Sequence, residues 1–202
     1  MDRADCRSLW RTRREHQRLQ EATSVLALLT EQDAVEYRFH IANNGGASSS
    51  IFEFAQHRDI WPDVDFVSDR WLLSSRLDTL FRREGLTPAK YPALVIDVQG
   101  AELLVLKGAG QMLGEFRFVQ AEAANFESYL GNSTLEDLRQ YLEPFGFREI
   151  SRDPFAVHPS GGTYWNVVWE RPAKTVLKTA RPSLARAEAN QQMKSAGKAS
   201  LI

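Results

Sequence analysis

The segment Ala93-Leu94-Val95-Ile96-Asp97 limits the folds open to this chain more than any other stretch. Its continuous apolar run predicts a strand covered on both faces, as in parallel sheets. After it come the acid Asp97, then Gly100, then a helical pattern through Leu103, Leu106 and Leu113. Strand, acid, glycine and helix in that order predict an α/β domain. Phe116 to Ala121 reads as a second such strand, ending at Glu122. Open α/β sheets bind ligands beyond the carboxyl ends of their strands, where loops and helix amino termini converge. Asp97 and Glu122 belong at that edge, and Glu102 falls in the first turn of the helix between them. Acids so placed accept hydrogen bonds from a cationic or hydroxylated ligand, orient an acceptor hydroxyl, or act as a general base once desolvation raises a pKa. The plain alternative is that Glu102 offsets its helix dipole and Glu122 is solvated.

Around this unit the sequence predicts further elements. Val25 to Thr30 suits a short buried strand, and the alternation Val35, Tyr37, Phe39, Ile41 suits a half-buried one; together they read as a hairpin. The loop Ala42 to Ser50 is built of small and turn-forming residues, which lets the backbone approach a neighbour closely. Phe52 to Asp69 is irregular and aromatic, broken by Pro62, and Leu77-Asp78-Thr79-Leu80-Phe81 begins a short helix that stops near Gly85. Ser133 and Glu136 form a capping box ahead of Leu135, Leu138, Tyr141 and Leu142, with Gly146 as the stop. Phe147 to Ser151 and Tyr164 to Glu170, joined through Pro159-Ser160-Gly161-Gly162, close a mixed sheet with an antiparallel edge strand.

The length of 202 residues implies a single core. No apolar run approaches the ~18 to 20 residues of a bilayer span, and the arginine-rich start lacks the apolar stretch of a secretory signal, so the expected compartment is the cytoplasm. A lone Cys6 and four scattered histidines give neither a disulfide framework nor zinc-ligand spacing. Charge is uneven: residues 1–19 carry +3, residues 172–202 carry +5, and the body between them carries −9. Residues 1–23 read as a basic helix with Leu9, Trp10 and Leu19. Residues 172–202 hold too little apolar surface to order and read as a flexible basic tail. Basic ends without interleaved aromatics point to solvated termini rather than to nucleic acid.

Several look-alike motifs fail. His57-Arg58-Asp59 is not followed by the asparagine of a kinase catalytic loop, Gly45-Gly46 lacks a P-loop lysine, and there is no Gly-x-Ser-x-Gly elbow. Lys107 reads as a solvated helix residue.

Leu94-Val95-Ile96-Asp97-Val98-Gln99-Gly100-Ala101-Glu102 through Leu106-Lys107-Gly108-Ala109 resembles the FkbM-type methyltransferases. Asn43-Asn44-Gly45-Gly46 with Ser48-Ser49-Ser50, Leu77-Asp78-Thr79-Leu80, Gln120-Ala121-Glu122 and Tyr129 to Gly146 agree in order, so the resemblance spans roughly residues 24–170. It implies a Rossmann-like class I fold and transfer of a methyl group from S-adenosylmethionine, with a small-molecule or glycan hydroxyl as acceptor. It further implies that Asp97, Glu102 and Glu122 line the methyl-transfer cleft as catalytic residues. Asn43, Ser48 and Ser49 would lie in a loop near the cofactor or substrate and count, with Asp97 and Gln99, as cofactor-binding positions. The family's fold opens with a strand, a glycine-rich cofactor turn, a helix and a second strand. A βαβ unit takes about 30 residues or more, yet the 24 residues before Val25 contain no glycine. The expectation is therefore an N-terminally incomplete domain over residues 24–171, whose strand ending at Asp97 has a bare edge and invites self-association. The alternative expectation is a non-catalytic remnant or binding module that does not take S-adenosylmethionine.

Overall fold

The computed structural model describes residues 24–172. The basic helix expected over residues 1–23, and all but Pro172 of the expected tail, lie outside the described residues. The first sheet contains β1 (Leu28–Leu29), β2 (Glu36–Ala42) and β3 (Phe66–Ser75) in the order β1-β3-β2. The second contains β4 (Ala93–Ile96), β5 (Phe118–Ala124), β6 (Arg148–Val157) and β7 (Thr163–Glu170) in the order β4-β5-β7-β6. The helices are α1 (His57–Ile60), α2 (Leu77–Arg83), α3 (Glu102–Ala109) and α4 (Leu135–Leu142).

In the larger sheet β4 runs parallel to β5, while β7 is antiparallel to both β5 and β6, giving the mixed sheet with an antiparallel edge. Register decides which face is buried. Leu94 pairs with Val119 and Ile96 with Ala121, and across β7 these continue to Trp169 and Val167. This face packs against Val105 and Leu106 of α3 and Leu138 and Leu142 of α4 to form the core. The residues between them point the other way. Val95, opposite Gln120, is 66% exposed. β4 is therefore covered on one face only, and the expectation of a strand buried on both is corrected.

The hairpin expected from Val25–Thr30 and Val35–Ile41 is not formed. β1 and β2 each pair with β3, in parallel and antiparallel fashion respectively. Ser74 at the end of β3 explains the arrangement. Its Oγ donates to the Gln32 carbonyl and accepts from the Val35 N–H, and its carbonyl accepts from the Ala34 N–H. One strand end thus takes up the backbone groups that a tight turn between β1 and β2 would have paired.

α4 also begins one residue later than expected. Thr134, not Ser133, is the N-cap: its Oγ1 accepts from the Asp137 N–H, and Asp137 accepts from the Thr134 N–H. The helix runs into a short 3-10 turn, Glu143–Phe145, and ends at Gly146 as expected.

Candidate functional site

The carboxyl ends of the parallel strands β4 and β5 set the site. Asp97 lies one step beyond Ile96, and Glu122 one step beyond the Ala121 that pairs with Ile96, so the two acids sit side by side. The chain then turns sharply. Gln99, a non-glycine residue, has φ +53°, and Gly100 has φ +99°. Held strain of this kind clusters where a backbone is over-determined by its surroundings. Here Ser50 Oγ donates to the Gln99 carbonyl at 2.7 Å, the Tyr129 hydroxyl donates to Gln99 Oε1 at 2.9 Å, and Gln99 Nε2 donates to Asp97 Oδ1 at 2.6 Å. A Cβ at position 100 would lie 3.2 Å from Asn132 and 3.3 Å from Tyr129, so glycine suits this turn for space as well as for φ.

Glu102 closes the same turn from below. It is buried, and its Oε1 accepts from the Gly100 N–H at 3.1 Å and from the Val98 N–H at 3.3 Å. Burial nevertheless pushes its carboxyl up to about 7, because two backbone donors only partly replace lost water. Glu122 is also pushed up to about 7, by burial and by the charge of Asp97 beside it.

Asp97, Gln99 and Glu122 open onto a cleft of about 240 Å³, whose other walls are Asn44, Ala47, Ser48, His57, Trp61, Phe155 and Tyr164. Glu122 and Gln99 also border a void of about 10 Å³ shared with Glu102 and Ser133. The structure thus brings Asp97 and Glu122 together in the cleft and sets Glu102 behind them. In the Ala42 to Ser50 loop, Ser48 lines the cleft, whereas Asn43 and Ser49 do not. Asn43 latches the loop to the Asp63 carbonyl and the Asp65 N–H, and Ser49 Oγ accepts from the Ala42 N–H.

His57, Trp61, Phe155 and Tyr164 are the lining residues that the sequence did not announce. In the sequence His57 belongs only to the His57-Arg58-Asp59 look-alike. Trp61 and Tyr164 are adjacent rings, and Phe155 stacks on Tyr164 with centroids 5.4 Å apart. The register of β6 against β7 shifts between Pro154 and Ala156, so Phe155 is the bulged residue. Bulges commonly re-aim side chains beside functional sites. Among the described residues, none that line it is Lys or Arg. The cleft is suited to groups that donate hydrogen bonds or carry positive charge on its acidic side, and to flat or apolar surfaces on its aromatic side.

Taken together, these elements make a mixed α/β domain with a strained acid-bearing turn beyond β4, the edge at which open α/β sheets bind ligands. Comparison with known families makes this specific: the Methyltransferase FkbM domain matches residues 37–149. The chain belongs to that methyltransferase family. The match takes in the loop of Ser48, the Asp97 turn, Glu102 and Glu122, and ends in β6 ahead of Phe155. No curated protein and no solved structure matches. Among the described residues, no helix is long and apolar enough to cross a membrane.

Proposed function

We propose that this protein is an S-adenosylmethionine-dependent O-methyltransferase with a Rossmann-like class I arrangement, working on a small-molecule or glycan hydroxyl in the Asp97–Glu122 cleft. The observation that supports this reading is the placing of Asp97 and Glu122 each one residue beyond the last β4–β5 pair, Ile96 with Ala121, in a cleft walled by aromatics. The lining fits the reacting end of the cofactor: two carboxylates suit a sulfonium, and Trp61 or Phe155 suits a flat ring. Asp97, Gln99 and Ser48 would contact the cofactor, while Asn43 and Ser49 hold the loop that presents Ser48. When bound, S-adenosylmethionine supplies an electrophilic methyl on a sulfur that leaves as a neutral thioether.

The chain's own task is then to bind, orient and deprotonate the acceptor. Glu122, near neutrality in its affinity for protons, takes the hydroxyl proton. Asp97, fixed by Gln99, orients the acceptor oxygen. Glu102 keeps the turn in shape rather than meeting the acceptor. The test is release of S-adenosylhomocysteine with a panel of hydroxylated ring compounds. Turnover by the unaltered protein, lost in Asp97→Asn and Glu122→Gln, supports the assignment; unchanged turnover in either variant removes that residue from the mechanism.

A binding module that does not take the cofactor is the second reading. It is favoured by a volume below the ~300 to 1,000 Å³ of clefts that enclose whole drug-sized ligands. Calorimetric titration with S-adenosylmethionine separates the two readings. The edge of β4, which among the described residues pairs on one side only and bears Val95 at 66% exposure, is proposed as a surface for self-association.

A further inference from the structure

His57 stands at the back of the cleft, and the mechanism above leaves it unused. It is 1% exposed, with its ring stacked on Phe54 at 4.5 Å and flanked by Trp61 and Tyr129 at 4.7 and 5.2 Å. Burial, helped by the adjacent Arg58 charge, pushes it down to about 4, so the ring is neutral near pH 7. A neutral imidazole has one N–H and one bare nitrogen. Nε2 lies 3.1 Å from Ser48 Oγ, whereas Nδ1 is buried with no hydrogen-bond partner among the described residues.

The two tautomers are not equivalent. With the proton on Nδ1, a buried N–H donor would be orphaned, which is among the rarest defects in folded proteins. With the proton on Nε2, that N–H donates to Ser48 Oγ and only a lone pair is left unpaired. The second tautomer is therefore favoured. Ser48 Oγ also accepts from Asn44 Nδ2 at 2.9 Å, and the Ser48 N–H to Asn44 Oδ1 contact at 3.2 Å fixes which way that amide faces. A hydroxyl oxygen has two lone pairs. With one taken by Asn44 and the other by His57, the Ser48 proton has neither of these neighbours as acceptor and turns into the cleft that Ser48 lines.

We propose that His57, as its Nε2–H tautomer, acts with Asn44 to make the Ser48 hydroxyl a preset hydrogen-bond donor for an oxygen of the bound ligand. Ser48 touches the ligand and His57 is a positioning residue behind it. The inference rests on the functional reading only in taking the cleft as the ligand site. It complements the acidic wall: the ligand offers a hydroxyl or positive charge toward Asp97 and Glu122, and an acceptor oxygen toward Ser48.

Long-range proton–nitrogen correlation spectra of the full ¹⁵N-labelled chain at pH 7 test the tautomer without any ligand. The expected result is a bare Nδ1 and a protonated Nε2 for His57; an Nδ1–H tautomer or an imidazolium overturns the proposal. Titration with S-adenosylhomocysteine then reads the donor. Ser48→Ala and His57→Phe should each weaken binding roughly tenfold, the double variant no further, and His57→Gln, which keeps an amide donor at that reach, should recover most of the loss. Full affinity in Ser48→Ala overturns the donor role. Absence of binding to the unaltered protein counts against the cofactor reading, while the nitrogen shifts still decide the proposal.

Discussion

Glu102 and Glu122 hold protons more tightly than ordinary glutamates, for different reasons and with different consequences. For Glu102 the folded-state value of about 7 exceeds the ordinary 4.5, so its stabilising contribution is full below about pH 4.5 and is lost as pH rises through 7. Glu102→Gln keeps an acceptor for the Val98 and Gly100 N–H groups without the buried charge. It is expected to match the parent at pH 5 and to exceed it at pH 8, by at most about 3 kcal/mol, in urea unfolding. Equal stability of the two at pH 8 would show that the carboxylate is already compensated. In the proposed mechanism Glu122 works in its deprotonated form, so turnover should climb as pH passes through about 7. Glu122→Gln should lower turnover by roughly 10²- to 10⁴-fold and flatten that climb. The positions of Asp97 and Glu122 were legible from sequence because each follows an apolar run, although β5 continues through Glu122 to Ala124 instead of ending there as expected. Those of His57 and Phe155 were not: one lies in a one-turn helix inside an irregular aromatic stretch, and the other faces the cleft only because of a bulge.

Elements whose burial follows one period were readable, and those held by pairing alone were not. β4, β5 and α4 carry apolar residues that face a single core, and their order was plain. β3 has Ser68, Asp69 and Arg70 at its centre and is mostly exposed, so no hydrophobic pattern marks it. Its hold comes from the backbone ladder to β2 and from Asp69, which meets Arg38 at 2.6 Å and His40 at 2.7 Å. Gly108, in the motif shared with the family, has a packing reason: a Cβ there would lie 2.2 Å from the Thr30 carbonyl oxygen. Gly108→Ala should therefore destabilise by about 2 kcal/mol or more despite alanine's better helix propensity, whereas Thr134→Ala should cost about 1 kcal/mol through the lost cap. Denaturant midpoints compare the two directly; a smaller loss in Gly108→Ala would show that β1 and α3 can move apart. At the β4 edge left unpaired among the described residues, proposed above as a contact for self-association, Val95→Lys should shift light-scattering mass toward the monomer, and an unchanged mass distribution would remove that edge as the contact.

For the whole molecule, the larger sheet brings residues far apart in sequence to one place. Ser48 and His57 precede β4, Asp97 and Gln99 follow it, Glu122 lies in β5, and Phe155 and Tyr164 come from the antiparallel strands beyond. The family assignment covers the chain from β2 into β6 and agrees with the class read from the acid-bearing turn. The most direct measurement is calorimetric titration of S-adenosylmethionine into the unaltered protein and into Asp97→Asn, with melting temperatures recorded for both. The account predicts saturable binding that weakens at least roughly tenfold in Asp97→Asn at an unchanged melting temperature. No saturable binding at millimolar ligand, or equal affinity in the two proteins, would contradict it.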